Sequence, residues 1–179
     1  HVHMALPVAD AQSCDDFFAG TKAAASGGVT TIIDFTVGSR ETSMPDDIKN
    51  RMKIARESVI DYAFHAEMVG WTPARLDELR TCVEMGIRSF KFFTAYASSG
   101  RRTENVPLFE SLQVLAELDA LAVVHAEDES VIQAILDRMT DEEKASMTAL
   151  PHSRPDTCEA SAVASVAWLA RNADARVHI

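Results

Sequence analysis

The feature that most constrains this chain is a repeated order of short β-rich runs followed by longer helical patterns. Runs rich in β-branched and aromatic residues fall at positions 30–35, 62–68, 89–94, 121–125 and 176–179. Residues 1–3 read as the tail of a further strand. Helical patterns fill the gaps. Ser13 is placed to cap the first, which carries Asp15 and Asp16 in its first turn and runs to Gly27-Gly28. Ser43 caps the second, with Pro45, Asp46 and Asp47 close behind. Pro73 opens the third, which stops near Gly86, and Pro107 opens the fourth, with Leu108, Leu112, Leu115 and Leu118 near helical periodicity. The last follows Pro155, with Ala160, Val163, Ala164, Ala167 and Trp168 as its expected apolar stripe. Strands alternating with helices of this length imply βαβ units and a parallel sheet. Six strands and five helical regions suit a (β/α)8 barrel or a doubly wound sheet. A complete barrel needs about 250 residues, so 179 residues are expected to form part of one. Both ends read as cuts, and residues 1–179 as a single incomplete domain.

Composition narrows the function classes. Net charge is −10, which disfavours nucleic acid and anionic membranes as partners. No apolar run approaches the roughly 20 residues that span a bilayer. Cys14, Cys82 and Cys158 form no CxxC pair, which fits a reduced, cytoplasmic compartment. Each cysteine falls in a helical pattern and reads as packing.

Active sites of parallel barrels and open sheets gather at the carboxyl ends of strands. The polar residues there are His1, His3, Asp34, His65, Lys91, His125 and His178. His1 and His3 share a strand face, and two imidazoles on one side can hold a metal ion; HVHM also fits a tag remnant. Lys91 sits among phenylalanines in Ser-Phe-Lys-Phe-Phe, where an ammonium is expensive unless neutralised or paired. An edge strand with the lysine in water is the alternative. A partly neutral amine is a nucleophile that can take up carbon dioxide, and the resulting carbamate could bridge two metal ions. A lone histidine ending a strand is more often a satisfied core residue. His125 and His178, on different strands with a lysine on a third, shift that balance toward a site. His65 reads as structural, Asp34 as a supporting group or helix cap, and His152 as a surface residue.

These residues resemble the amidohydrolase superfamily: His-x-His on strand one, lysine on strand four, histidines on strands five and six. Within it the chain is most similar to the hydantoinases and dihydropyrimidinases. The similar stretches are Asp16-Phe-Phe-Ala-Gly-Thr, Gly28-Val-Thr-Thr-Ile-Ile-Asp-Phe, Val59-Ile-Asp-Tyr-Ala-Phe-His, Lys91-Phe-Phe-Thr-Ala-Tyr, Val124-His-Ala-Glu and Ser153-Arg-Pro. The lysine-to-tyrosine stretch is the most specific, and the resemblance covers essentially the whole chain.

The resemblance implies a partial TIM-like (β/α)8 barrel, strands one to six, carrying a binuclear site that is usually zinc. His1 and His3 would hold the more buried divalent ion, a carbamate on Lys91 would bridge both, and His125 and His178 would hold the second. A bridging hydroxide would attack the carbonyl of a small cyclic amide, a hydantoin or dihydropyrimidine. Tyr96 would donate to the developing oxyanion. Leu6, Val8 and Phe93 would line the pocket for the ring substituent, beside Tyr96. The family's strand-eight aspartate has no counterpart here, so these residues alone are expected to be inactive. The loop 97–105 has no confident match. A homo-oligomer, commonly a tetramer, is implied for the intact protein. The rival readings are an allantoinase-like or dihydroorotase-like enzyme, against which Tyr96 argues, and a non-catalytic dihydropyrimidinase-related scaffold, against which the retained ligand positions argue.

Overall fold

The computed structural model describes residues 1–8 and 10–179. After the extended residues 1–3 come a two-stranded antiparallel ribbon, β1 (Pro7–Val8) and β2 (Ala11–Gln12), and helix α1 (Phe17–Ser26). Five parallel strands then alternate with helices: β3 (Thr31–Phe35), α2 (Met44–Ala55), β4 (Asp61–Glu67), α3 (Ala74–Glu84), β5 (Ser89–Phe93), α4 (Asn105–Glu117) and β6 (Leu121–His125). Four helices, α5 (Glu129–Leu136), α6 (Asp141–Ala145), α7 (Leu150–Ser153) and α8 (Asp156–Asn172), precede β7 (Arg176–His178). The sheet runs in sequence order, β3-β4-β5-β6-β7, all parallel. That is the order of consecutive barrel strands. The expected parallel α/β architecture is present.

The two faces of the sheet differ sharply. Ile32, Phe64, Ala66, Phe90, Phe92, Ala122 and Val124 point one way and are buried beneath helices that contribute Leu79, Leu108, Leu112, Leu115 and Val166 to the same core. The alternate residues point the other way, as the two-residue period of a strand requires. These include Ile33, His65, Glu67, Lys91, Phe93, His125 and His178. Of the residues on these five strands named in the chemical argument, all but Asp34 fall on this inner face.

Several sequence expectations need correction. Residues 1–3 are not a strand, although Val2 N–H donates to Ile33 C=O at 2.9 Å and so lies against the free edge of β3. Asp16, not Ser13, caps α1, accepting from Ala19 N–H at 2.7 Å. Ser13 serves the incoming chain instead: its hydroxyl donates to His3 C=O and accepts from Leu6 N–H. The cap of α2 is as expected, Ser43 accepting from Asp46 N–H. Helix α4 begins two residues before Pro107, which sits in the first turn where its missing N–H costs nothing. In α8 the buried stripe is Cys158, Ala162, Val166 and Ala170, and Trp168 is 64% exposed. Periodicity alone could not choose between two adjacent small-residue stripes on an alanine-rich helix. Cys14 is exposed and precedes α1, whereas Cys82 and Cys158 pack in helices. Burial pushes the Cys82 thiol up to about 12, so it is inert packing.

Candidate metal and oxyanion site

The strand register sets the site. Across the sheet Phe35 pairs with His65, Glu67 with Lys91, Phe93 with His125, and Val123 with His178. These pairs stand at or near the carboxyl ends of β3 to β7, and registered partners in a sheet share a face. Two aromatic groups result. In the first, His3 stacks on Phe35 with ring centroids 4.6 Å apart, His1 meets Phe35 edge-on at 4.8 Å, and the two histidine rings are 5.5 Å apart. His65 closes this group, 4.9 Å from Phe35 and 6.1 Å from His1. In the second, the Tyr96 ring lies 5.2 Å from His125 and 5.8 Å from Phe93.

Lys91 stands between them. Its Nζ is 5.9 Å from the Phe35 ring and 4.9 Å from the Phe93 ring. Burial holds its ammonium below the usual lysine value, with the Glu67 carboxylate opposing. That carboxylate is already engaged: Arg101 Nε donates to its Oε1 at 2.7 Å and Gly38 N–H to its Oε2 at 3.2 Å. A cavity of about 260 Å³ opens beside Lys91, lined also by His125, Glu127, Glu159 and Ile179.

The segment carrying His1 and His3 is anchored from below. Asp34, fully buried on the outer face, accepts Met4 N–H at 3.3 Å, while Arg51 donates its Nε to Asp34 at 2.8 Å and its Nη2 to Met4 C=O. One ion pair therefore grips both backbone groups of the residue after His3. Burial raises the Asp34 carboxyl, with Arg51 pulling it back. Burial also depresses His3, and it takes His65 to about 4, where it is a neutral ring; His65 Nδ1 is 2.6 Å from Ser89 Oγ.

The residues that reach the second aromatic group are polar and come from scattered segments. His125 Nε2 lies 2.6 Å from Glu127 Oε2, the oxygen that also accepts from Arg154 Nη1. The Arg154 guanidinium covers the Tyr96 ring at 5.3 Å. Tyr96 itself has left-handed backbone angles, φ 70° and ψ 45°, uncommon for an aromatic residue. Three donors hold its carbonyl, Ser99 N–H, Ser99 Oγ and Arg101 N–H, and both Glu129 carboxylate oxygens accept the next N–H, that of Ala97.

The structure brings together His1 with His3, and Lys91 with Phe93, Tyr96 and His125. His178 sits on the same face at the end of β7, near enough for its charge to act on His65. Leu6 and Val8 stand apart: Val8 is exposed on β1, and neither residue lines the cavity beside Lys91. Sequence reasoning assigned no role to Glu67, Glu127, Glu129 or Arg154. Glu127 was within reach, lying two residues past His125 and so on the same side. Among the described residues no three His, Cys, Asp or Glu side chains gather closely enough to hold a metal ion by themselves. His1 and His3 form one imidazole pair, and Lys91 stands between that pair and the Phe93 ring, which lies against His125.

Known proteins resemble this chain in sequence and in fold. Over 176 residues, 96% of this chain, the sequence is 38% identical to a D-phenylhydantoinase of Escherichia coli O1:K1 / APEC. A dihydropyrimidinase from Brevibacillus agri NCHU1002 superposes with a TM-score of 0.92 at 34% identity over 99% of this chain. An L-hydantoinase (dihydropyrimidinase) from Arthrobacter aurescens superposes less closely, with a TM-score of 0.76 at 29% identity over 90% of this chain. The chain spans 37%, 39% and 36% of those three proteins. No family model matches the chain. Among the described residues no helix is long and apolar enough to cross a membrane.

Proposed function

We propose, for a chain homologous to the hydantoinases and dihydropyrimidinases over nearly its whole length, that the protein opens the C–N bond of a small cyclic amide. The substrate class is a hydantoin or a dihydropyrimidine. The 179 residues are one incomplete barrel domain that supplies most of the metal ligands and the oxyanion donor.

The observation that carries this reading is the desolvated Lys91 amine, set between the Phe35 ring that His1 and His3 pack on and the Phe93 ring beside His125. A solvated surface lysine would stay charged and would have no reason to face inward. A neutral lysine amine is a nucleophile toward carbon dioxide, and its carbamate is a carboxylate on a long arm. The donor set then fits two divalent ions, zinc by preference for imidazole and carboxylate. His1 and His3 would hold one, His125 and His178 the other, and carbamylated Lys91 both. Such ions supply Lewis acidity and a water made acidic enough to attack at neutral pH.

The chain's own residues do the rest. The Tyr96 hydroxyl donates a hydrogen bond to the carbonyl oxygen as it gains charge, and the fixed left-handed backbone keeps that donor in place before the substrate arrives. Phe93, against both Lys91 and Tyr96, gives the ring substituent an apolar wall. The intact protein would be a cytoplasmic homo-oligomer, consistent with two buried free thiols.

The test is direct. The intact protein, purified and analysed for metal, is assayed for dihydrouracil and hydantoin opening before and after treatment with a chelator. Two ions per subunit and chelator-sensitive turnover are expected. Full turnover by metal-free protein would overturn the reading.

A further inference from the structure

We propose that Glu127 and Arg154 are positioning residues that hold the histidine His125 and the oxyanion donor Tyr96 in one fixed relation. This rests on the roles given to those two residues above. Four side chains from three segments form a closed ring. His125 ends β6, and Glu127 follows it by two residues. Tyr96 follows β5, and Arg154 follows α7. One carboxylate oxygen, Glu127 Oε2, takes both the His125 Nε2 donor and the Arg154 Nη1 donor. Arg154 covers the Tyr96 ring at 5.3 Å, and Tyr96 faces His125 at 5.2 Å.

Each link does something a lone contact would not. An ionised carboxylate only accepts, so the His125 nitrogen facing Glu127 must carry the proton. That fixes the tautomer and leaves the other ring nitrogen its lone pair for an ion. Arg154 supplies the charge that keeps this carboxylate compensated, and its planar guanidinium is the shape that lies flat on a ring. The backbone is built for the arrangement. Thr94 Oγ1 donates to the carbonyls of His125 at 3.1 Å and Glu127 at 2.8 Å, and accepts Glu127 N–H at 2.9 Å. Arg154 precedes Pro155, which bars it from continuing α7, and it adopts φ −131° and ψ 68°. As stabilisers the contacts are modest, since Glu127 and Arg154 are partly exposed and solvent screens such pairs. Their value is geometric.

The test uses the intact protein and reads metal retention as well as turnover. In Glu127→Ala one of the two ions should be lost to a chelator at about 10- to 100-fold lower chelator concentration, with the other ion unaffected. Arg154→Met should lower kcat by about 10- to 100-fold with KM unchanged. In the Tyr96→Phe background the same Arg154→Met change should cost less than about twofold, because its target hydroxyl is already gone. If Glu127→Ala does not fold, Glu127→Gln removes the ion pair at constant volume and is read the same way. Wild-type protein that holds no metal would sink the metal reading of the site. Wild type with two ions, and Glu127 and Arg154 variants that keep both ions equally tightly or lose kcat to the same extent with and without the Tyr96 hydroxyl, would overturn the positioning role alone.

Discussion

Removing Arg51 tests how the His1–His3 segment is held. The guanidinium is 3% exposed and its partner Asp34 is fully buried. Arg51→Met keeps the length and apolar stem of the side chain but leaves Asp34 a buried carboxylate without its cation. Breaking a buried pair from one side typically costs about 3–5 kcal/mol. It also strips Met4 C=O of its donor, although Met4 N–H keeps Asp34. The assay is urea unfolding of the intact protein with chelator present, so that metal binding does not mask the loss. The midpoint should fall at constant slope. Two controls sharpen the outcome. Asp34→Asn combined with Arg51→Met should recover much of the loss, because no charge is left buried. The deficit should also shrink in acid. Asp34 is raised above 3.8 by burial; a carboxyl raised on folding favours the native state below its unfolded value, and that advantage disappears as pH rises through the folded value. The variant lacks the opposing arginine, so its penalty is largest at neutral pH and smallest once Asp34 is protonated. A loss below about 1 kcal/mol, the range of an exposed pair, would refute the anchoring argument.

Four further substitutions probe other parts of the molecule. Lys91→Ala should remove the bridge and most of the metal, and the activity with it, and short carboxylic acids should restore a part; metal analysis showing two ions and a normal rate would exclude the carbamate. Tyr96→Phe should lower kcat by about 10²–10³ with metal content unchanged, checked by steady-state kinetics against metal analysis. On α8, Val166→Ala should cost about 0.5–2 kcal/mol as a buried truncation, whereas Trp168→Ala should stay within about 0.5 kcal/mol; thermal unfolding of the two variants separates the buried stripe from the exposed one.

The sheet was legible because its signal is redundant. Five runs of β-branched and aromatic residues, each followed by turn chemistry and a helical pattern, fix strand order once right-handed crossovers are assumed. Boundaries came within a residue or two, with Leu121–His125 matched as it stands. The ribbon was not legible: two residues per strand carry no period. Helices α5 to α7 were also missed, being short segments in which caps such as Thr140 and Asp128 matter more than periodicity. The α1 start was misread for a related reason. Ser13, Asp15 and Asp16 are all competent caps, and only the tertiary demand of His3 C=O and Leu6 N–H draws Ser13 away.

For the site, sequence could supply the residues lying on the inner face but not the ones that arrange them. Two-residue alternation puts Lys91, Phe93 and His125 on one face whatever the details of the fold, so their convergence follows from parity and register. Arg154 obeys no such rule. It lies 27 residues beyond Glu127 and follows a four-residue helix, so its approach to Tyr96 depends on how three short helices pack. The same distinction explains why Lys91 is depressed although an acidic neighbour exists. Glu67 is its registered partner across β4 and β5 and would ordinarily hold the amine charged. Arg101, reaching back from the loop after Tyr96, takes that carboxylate for itself. A buried lysine whose registered carboxylate is shared with a third residue is only partly compensated, so burial still lowers its hold on the proton. Replacing Arg101 should therefore return Glu67 to Lys91 and raise the lysine's proton affinity. In the intact protein Arg101→Met should weaken metal retention at low bicarbonate and recover it as bicarbonate is raised. Retention independent of bicarbonate in both proteins would show that Arg101 does not control the charge on Lys91.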